Sequence, residues 1–292
     1  MSNVIVEKTT NANIGNAEFS FNTVIDIFQE LPGASLLREL SAKVPMKFST
    51  GQVINVRRNG ATNSYETVES LLTVNDNSAT PLATGISIEV IQDLHAQYSV
   101  DGYDIAAKLL KGIVDKEENA SLMTWLNANS LSTPALDLET SVNSTDPQLK
   151  QDRGFEISQR VQELVLKMNT PNFRTYEAFC ILPFKNAATI SSMNSFMGGS
   201  AENKDNLVIS KIGSTSYYVN QDTTATTAFV GLVEKDTLGA SSIILGEYQQ
   251  EILASTQVES FQQNVGIINR YATAINPLSD TGSEMLMKFE IV

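Results

Sequence analysis

Between Asp101 and Asn129 the chain reads DGYDIAAKLLKGIVDKEENASLMTWLNAN, the longest helical pattern in its 292 residues. Apolar side chains recur at Ile105, Leu109 and Ile113 and at Ala106, Leu110 and Val114, the i, i+4 spacing that gathers them on one face of a helix. The stripe resumes at Ala120, Met123 and Leu126, which predicts one rod of about 27 residues and roughly 40 Å. Asp101 can cap its first turn and Asp104 sits within it, where carboxylates suit the positive helix end. Lys108, Lys111, Asp115 and Glu118 are assigned to the polar outer side, with Lys111 and Asp115 four apart and Glu117-Glu118 solvating the rod. The pattern by itself fits the core helix of any large protein. A rod of this length is nonetheless what the other segments must pack around.

Those segments are short. Residues 1 to about 20 are polar and rich in Asn and Thr, an extended arm with no core of its own. Val24, Ile27 and Phe28, then Leu36, Leu37 and Leu40, suggest two short helices separated by Pro32-Gly33. Gln52 to Arg58 alternates like a strand, and Asn59-Gly60 is a strong hairpin turn signal. The segment after it, to Thr84, carries only scattered apolar residues, so this hairpin is expected to project from the body. Ile86 to Tyr98 passes from strand-like into helical spacing. Ser130 to Gly154 reads as a polar connector with Pro134 and Pro147, and Ile157, Val161, Leu164, Val165 and Met168 define a second helix ending at Asn169-Thr170-Pro171.

From there strands dominate: Tyr176 to Leu182, Leu207 to Ile212, Ser216 to Asn220, Ala228 to Val233 and Ser242 to Leu245. A helix from Ala187 to Phe196 interrupts them, and Glu251 to Val258, Val265 to Ala272 and Met285 to Val292 close the chain. The outline is α+β with mostly antiparallel strands.

Composition narrows the chemistry. A single cysteine, Cys180, forbids an intrachain disulfide, and a single histidine makes any imidazole chemistry depend on His95. Asp93 is two residues from His95 and does not face it on a helix, and Cys180 sits in an apolar strand, the setting of an inert thiol. No P-loop, dinucleotide fingerprint or nucleophile elbow is present, and Met197-Gly198-Gly199-Ser200 is too short to cradle a phosphate. No catalytic residue, metal ligand or cofactor site is assigned. A formal charge of −13 argues against a surface that tracks phosphates. No apolar run is long enough to span a membrane and the start lacks a signal-peptide pattern, so a soluble, intracellular chain is expected, with no membrane partner.

Four stretches, in order, resemble the major capsid proteins of T-even-type contractile-tailed bacteriophages, which have the Hong Kong 97-type capsid fold. Leu31-Pro32 through Arg58 is similar to the passage in which a Pro-Met pair, here Pro45-Met46, precedes Thr50-Gly51 and an Arg-bearing strand. Glu89, Asp93-Leu94 and Asp101-Gly102 resemble the approach to the long helix. Val230-Gly231, Lys235, Gly239 and Tyr248 resemble a later strand succession, and Gly266, Arg270-Tyr271 and Asn276-Pro277 the closing signature. Where the family has Pro-Tyr, this chain has Glu247-Tyr248. The hairpin leaves too little sequence for the inserted domain of larger members, and only about 44 residues precede Pro45, too few for a long cleaved propeptide.

The resemblance implies an N-terminal arm with short helices at 1–45, an extended hairpin (the E-loop) at 46–84, and a peripheral domain with its spine helix at 85–130. An axial domain at 131–247 and return strands of the peripheral domain at 248–292 complete it. It implies a non-enzymatic major capsid protein that assembles as hexamers and pentamers into an icosahedral virion shell in the cytoplasm of a bacterial host. Double-stranded DNA is enclosed without specific binding, and scaffold, portal and decoration proteins are the expected partners. Intersubunit contacts are assigned to Arg57, Arg58, Asn59 and Gly60 at the hairpin turn. Residues 51 to 84 hold no lysine, so a covalently cross-linked shell is not expected unless Lys47 substitutes. An encapsulin-like compartment, a vertex paralogue and a soluble enzyme with a scattered site are the alternatives.

Overall fold

The computed structural model describes residues 35–58, 65–74, 82–87, 102–138, 147–169, 177–196, 208–220, 222–233, 241–257, 262–276 and 285–292. Four helices run in chain order as α1 (Leu36–Leu40), α2 (Gly102–Asn129), α3 (Pro147–Asn169) and α4 (Phe184–Phe196). The strands are β1 (Ser41–Pro45), β2 (Thr50–Arg58), β3 (Tyr65–Thr73), β4 (Leu82–Ser87), β5 (Leu131–Ser132) and β6 (Ala178–Leu182). Next come β7 (Val208–Ile212), β8 (Thr215–Val219), β9 (Thr227–Leu232), β10 (Ile243–Gln257), β11 (Gln262–Ile275) and β12 (Leu286–Glu290). Val24, Ile27, Phe28, Asn59, Gly60, Asp93, His95, Asp101 and Met197 to Ser200, on which expectations rested, lie outside the described residues.

The strands form a four-stranded sheet in the order β1-β10-β11-β4, a six-stranded sheet in the order β5-β12-β9-β6-β8-β7, and the isolated β2-β3 hairpin. Pairings among them are antiparallel except β1 with β10, β5 with β12 and β6 with β8. The expected α+β class therefore holds.

The rod α2 forms as expected, but its buried stripe differs from the one the apolar residues suggested. Ile113 is 42% exposed and Ala120 is exposed, while Leu110, Val114 and Leu126 of the expected stripe are buried and Leu122 joins them. These four keep a spacing of four if Glu118 is counted among them, and Glu118 is indeed buried. Leu110 and Val114 pack against Val265 and Ile267 of β11. Leu122 and Leu126 join Leu36, Leu37 and Leu40 of α1 and Phe179, Ile181 and Phe229 of the six-stranded sheet in one core. The spine thus crosses from one sheet to the other. Its C-terminal end, which has no basic residue of its own, is held by Lys288 of β12, whose Nζ donates to the Asn127 carbonyl oxygen at 2.5 Å.

Two boundaries are corrected. Residues 147–154, expected to be connector, are the start of α3, because proline at the first helical position needs no backbone donor. Ser242 to Leu245 and Glu251 onward, expected as two strands, are one strand, β10. Its pairing with β11 continues through the polar stretch, with a register irregularity between Glu247 and Gln249.

Two glycines of the family-like stretches have a packing reason. Gly231 pairs in register with Phe179, and a Cβ there would lie 2.5 Å from the buried Phe179 ring. A Cβ on Gly246 would run into Met46 Sδ, so Met46 of the Pro-Met pair lies directly against the β10 backbone.

Candidate functional site

The β2-β3 hairpin has two unlike faces. Directly opposed residues share a face, and the register sets Gly51 against Leu72, Gln52 against Leu71, Val53 against Ser70 and Ile54 against Glu69. Val53 and Leu72 are buried at its base against Ile244, Ala272 and Ala274, with Val44, Met46 and Val74 around them. The opposite face leaves Ile54 57% and Leu71 69% exposed, and Phe48, just before β2, 73% exposed. On that face Gln52 Nε2 donates to Glu69 Oε2. The hairpin is therefore anchored at its root by apolar packing and carries a second apolar face with no cover among the described residues. Of the assigned contact residues, Arg57 and Arg58 end β2 opposite Glu66 and Tyr65; Asn59 and Gly60 are not among the described residues.

A second polar centre was not foreseen. Arg38, on a helical turn whose Leu36, Leu37 and Leu40 are buried, points its guanidinium across to α2. Its Nη2 donates to Glu118 Oε1 at 2.8 Å and its Nε to Glu118 Oε2 at 3.1 Å. Its Nη1 donates to Glu247 Oε1 at 2.8 Å, and Nη2 also to Asn269 Oδ1 at 3.0 Å. Asn269 Nδ2 donates in turn to Glu118 Oε1 at 2.5 Å, Ser35 Oγ donates to Glu118 Oε2, and the Leu36 amide donates to Asn119 Oδ1 at 2.7 Å. One buried carboxylate thereby ties α1, the spine and β11 together, as a buried charge requires. The Pro-to-Glu departure at Glu247 supplies the second acceptor for Arg38 at the irregular point of β10.

The placement of Glu118 and Asp115 on the polar outer side is therefore a correction: they are only 2% and 4% exposed. Glu118 falls on the stripe that α1 and the four-stranded sheet cover, and its polarity is met by Arg38, Ser35 and Asn269, far away in sequence. Burial would lower the pKa of Arg38, but its hydrogen bonds to Glu118 and the charges of Glu118, Glu247 and Asp115 outweigh that and raise it. Burial, and then repulsion from Glu118, push Asp115 up to about 6, with Lys111 and Arg38 partly offsetting. Glu117 is exposed, as expected. Cys180 is fully buried and desolvation raises its thiol pKa, so no thiolate forms at neutral pH.

Among the described residues no cluster of three or more His, Cys, Asp or Glu could hold a metal ion, and no helix is long and apolar enough to cross a membrane. The geometry is that of a scaffold: two sheets bridged by a spine, and a hairpin that offers a bare face.

That architecture is the Hong Kong 97-type capsid fold. It is similar to the capsid protein of cyanophage P-SCSP1u, with a TM-score of 0.55 at 8% identity, covering 90% of each chain. The virus-like particle of Pyrococcus furiosus gives a TM-score of 0.54 at 10% identity, with 92% of this chain and 96% of that one covered. The mature capsid of bacteriophage PhiM1 gives 0.52 at 9%, over 88% and 87%. At such identities the likeness is one of fold. A search of curated proteins finds no match to the sequence. The family model of the major capsid protein Gp23 matches residues 78–290. The chain belongs to the Gp23 family of major capsid proteins.

Proposed function

We propose that this chain is the subunit of an icosahedral phage head, assembled from its hexamers and pentamers in the bacterial cytoplasm around double-stranded DNA. The observation that carries the reading is the family match from the β4 region to the last strand, laid on a fold with a spine and an outlying hairpin. Residues 1–45 serve as arm, 46–84 as E-loop, 85–130 as the spine-bearing peripheral part, 131–247 as axial domain and 248–292 as return strands. Of these last, β12 lies in the six-stranded sheet.

The mechanism is interface burial. A monomer leaves Phe48, Ile54 and Leu71 in water, and laying the hairpin over a neighbour removes that apolar surface, at about 25 cal/mol per Å². Arg57 and Arg58, which end β2, and Asn59 and Gly60 after them in sequence make contacts with the next subunit. Each contact is modest, and closure of rings and shell makes their sum hard to undo. The net charge of −13 keeps the wall from adhering to packed DNA. The chain acts as a structural protein without cofactor, and scaffold, portal and decoration proteins are its partners. With no lysine between residues 51 and 84, the shell is held non-covalently. Ladders of linked subunits on a denaturing gel of assembled particles would contradict that point.

An encapsulin-like compartment has the same shell geometry and differs in its contents. Electron microscopy of the purified chain, with the nucleic acid content of particles recovered from a productive host, tests both. DNA-filled heads support the proposal, and protein-filled shells support the compartment.

A further inference from the structure

We propose that neighbouring copies of this chain within one capsomer join head to tail, the start of α4 of one copy seating in a cleft beside α3 of the next. This deepens the capsid reading and rests on it.

The cleft lies between α3 and the segment Pro134–Leu136, which runs along the β12 edge of the six-stranded sheet; the Leu136 amide donates to the Glu290 carbonyl oxygen at 2.7 Å. It measures about 370 Å³, has a floor of Pro134, Ala135 and Leu136, and is walled by Glu156, Arg160 and Glu163 of α3. Arg160 is engaged within the wall, donating from Nη1 to Glu163 Oε2 at 3.3 Å and from Nη2 to the Pro134 carbonyl oxygen at 3.2 Å. Glu156 is left to set the sign of the opening.

The helix beside this cleft is built for two partners. Ile157, Val161, Leu164, Val165 and Met168 fill the core of the six-stranded sheet. On the opposite side of the same helix Phe155 is 51% and Leu166 64% exposed. They stand eleven residues apart, about three turns, and so lie on one line roughly 16 Å long that flanks the acidic wall. They leave an apolar outer edge on an otherwise well-patterned helix.

The fitting shape is on the same domain. In α4 the inner positions Ala187 and Ile190 are buried. The outer ones begin with Phe184, 55% exposed, and Lys185, an exposed cation with no ion-pair partner among the described residues. An aromatic ring beside an ammonium group complements an apolar floor beside a carboxylate.

Topology puts the two patches on opposite flanks. Helices α3 and α4 pack side by side on one face of the sheet, α3 over β9 with the cleft on its side toward the β5 edge, and α4 over β8 and β7 toward the other edge. Two different patches on opposite flanks cannot pair across a twofold axis. They join copies heterologously, and such a contact closes into a ring when the rotation between copies divides a full turn, as in a capsomer.

The test uses shells assembled from the full chain carrying Glu156→Cys and Lys185→Cys, treated with a short bis-maleimide; the native Cys180 is fully buried and does not compete. The expected result is a denaturing-gel ladder that ends at the capsomer, with no ladder in either single variant. Normal shells without a ladder would overturn the contact while leaving the capsid reading standing. A wild-type chain that forms no shells would overturn both. If the double-cysteine chain does not assemble, Glu156→Lys and Lys185→Glu decide. Each alone should reduce shell yield by at least about tenfold, and the two together should recover it. Failure to recover in the double variant would contradict the proposal.

Discussion

Arg38 and Glu118, 80 residues apart, meet at 2.8 Å inside the protein, where the guanidinium of a single helical turn clamps the buried carboxylate of the spine. The pair makes the N-terminal turn part of the same folding unit as the spine. Removing one partner leaves the other charge buried and uncompensated, which costs about 3–5 kcal/mol. Arg38→Met should therefore lower the urea midpoint of the subunit strongly. Arg38→Met with Glu118→Met should recover a good part of the loss, because two apolar groups leave no stranded charge. A double variant no better than Arg38→Met would show that the pair is not the coupling element.

Asp115 gives the subunit a pH dependence of definite sign. Its pKa is raised from 3.8 to about 6 on folding, so the folded state binds this proton more tightly than the unfolded state. The stabilisation is complete below about pH 4, is lost as pH rises to about 6, and stays lost above. Asp115→Asn should be more stable than the native chain near pH 8 and gain nothing near pH 4. Denaturant midpoints at the two pH values check this, and equal differences at both would refute it.

The two tight glycines should respond unequally. Gly231→Ala drives a methyl group into the fully buried Phe179 ring, with Leu286 Cδ1 at 3.1 Å behind it, and should cost about 1–3 kcal/mol. Gly246→Ala meets Met46, a flexible side chain only half-buried, and should cost less. Thermal unfolding of the two variants ranks them directly.

The hairpin separates folding from assembly. Leu72→Ala removes a buried side chain from the hairpin root and should cost about 2–5 kcal/mol. Ile54→Asp and Leu71→Asp alter the bare face and should leave subunit stability within about 0.5 kcal/mol, while abolishing or greatly reducing shell formation. Unfolding curves and sedimentation of the same samples measure the two effects together. Shells formed normally by both aspartate variants would remove the hairpin face from assembly.

Much of this architecture was legible in the residues. The rod, the strand β2, the strand around Cys180 and the second helix each carry a local period, and a local period survives into the fold. What was not legible depends on partners far away in the chain. Glu118 looked like surface because it is charged, although its position four residues from Val114 and from Leu122 puts it on the buried stripe. Only the arrival of Arg38, Ser35 and Asn269 makes that burial tolerable. The length of β10 was hidden for the same reason: its polar middle is a strand because β11 supplies hydrogen bonds, and no local pattern announces that. The Val-Gly and Pro-Met features that marked the family resemblance turn out to be packing requirements, Gly231 under Phe179 and Met46 against Gly246.

The central claim is that this chain builds a closed shell. Electron microscopy of the full-length protein, expressed with its scaffold if it has one, tests it most directly. The account predicts hollow icosahedral particles with hexameric and pentameric capsomers; a homogeneous small oligomer that forms neither rings nor shells under those conditions would contradict it.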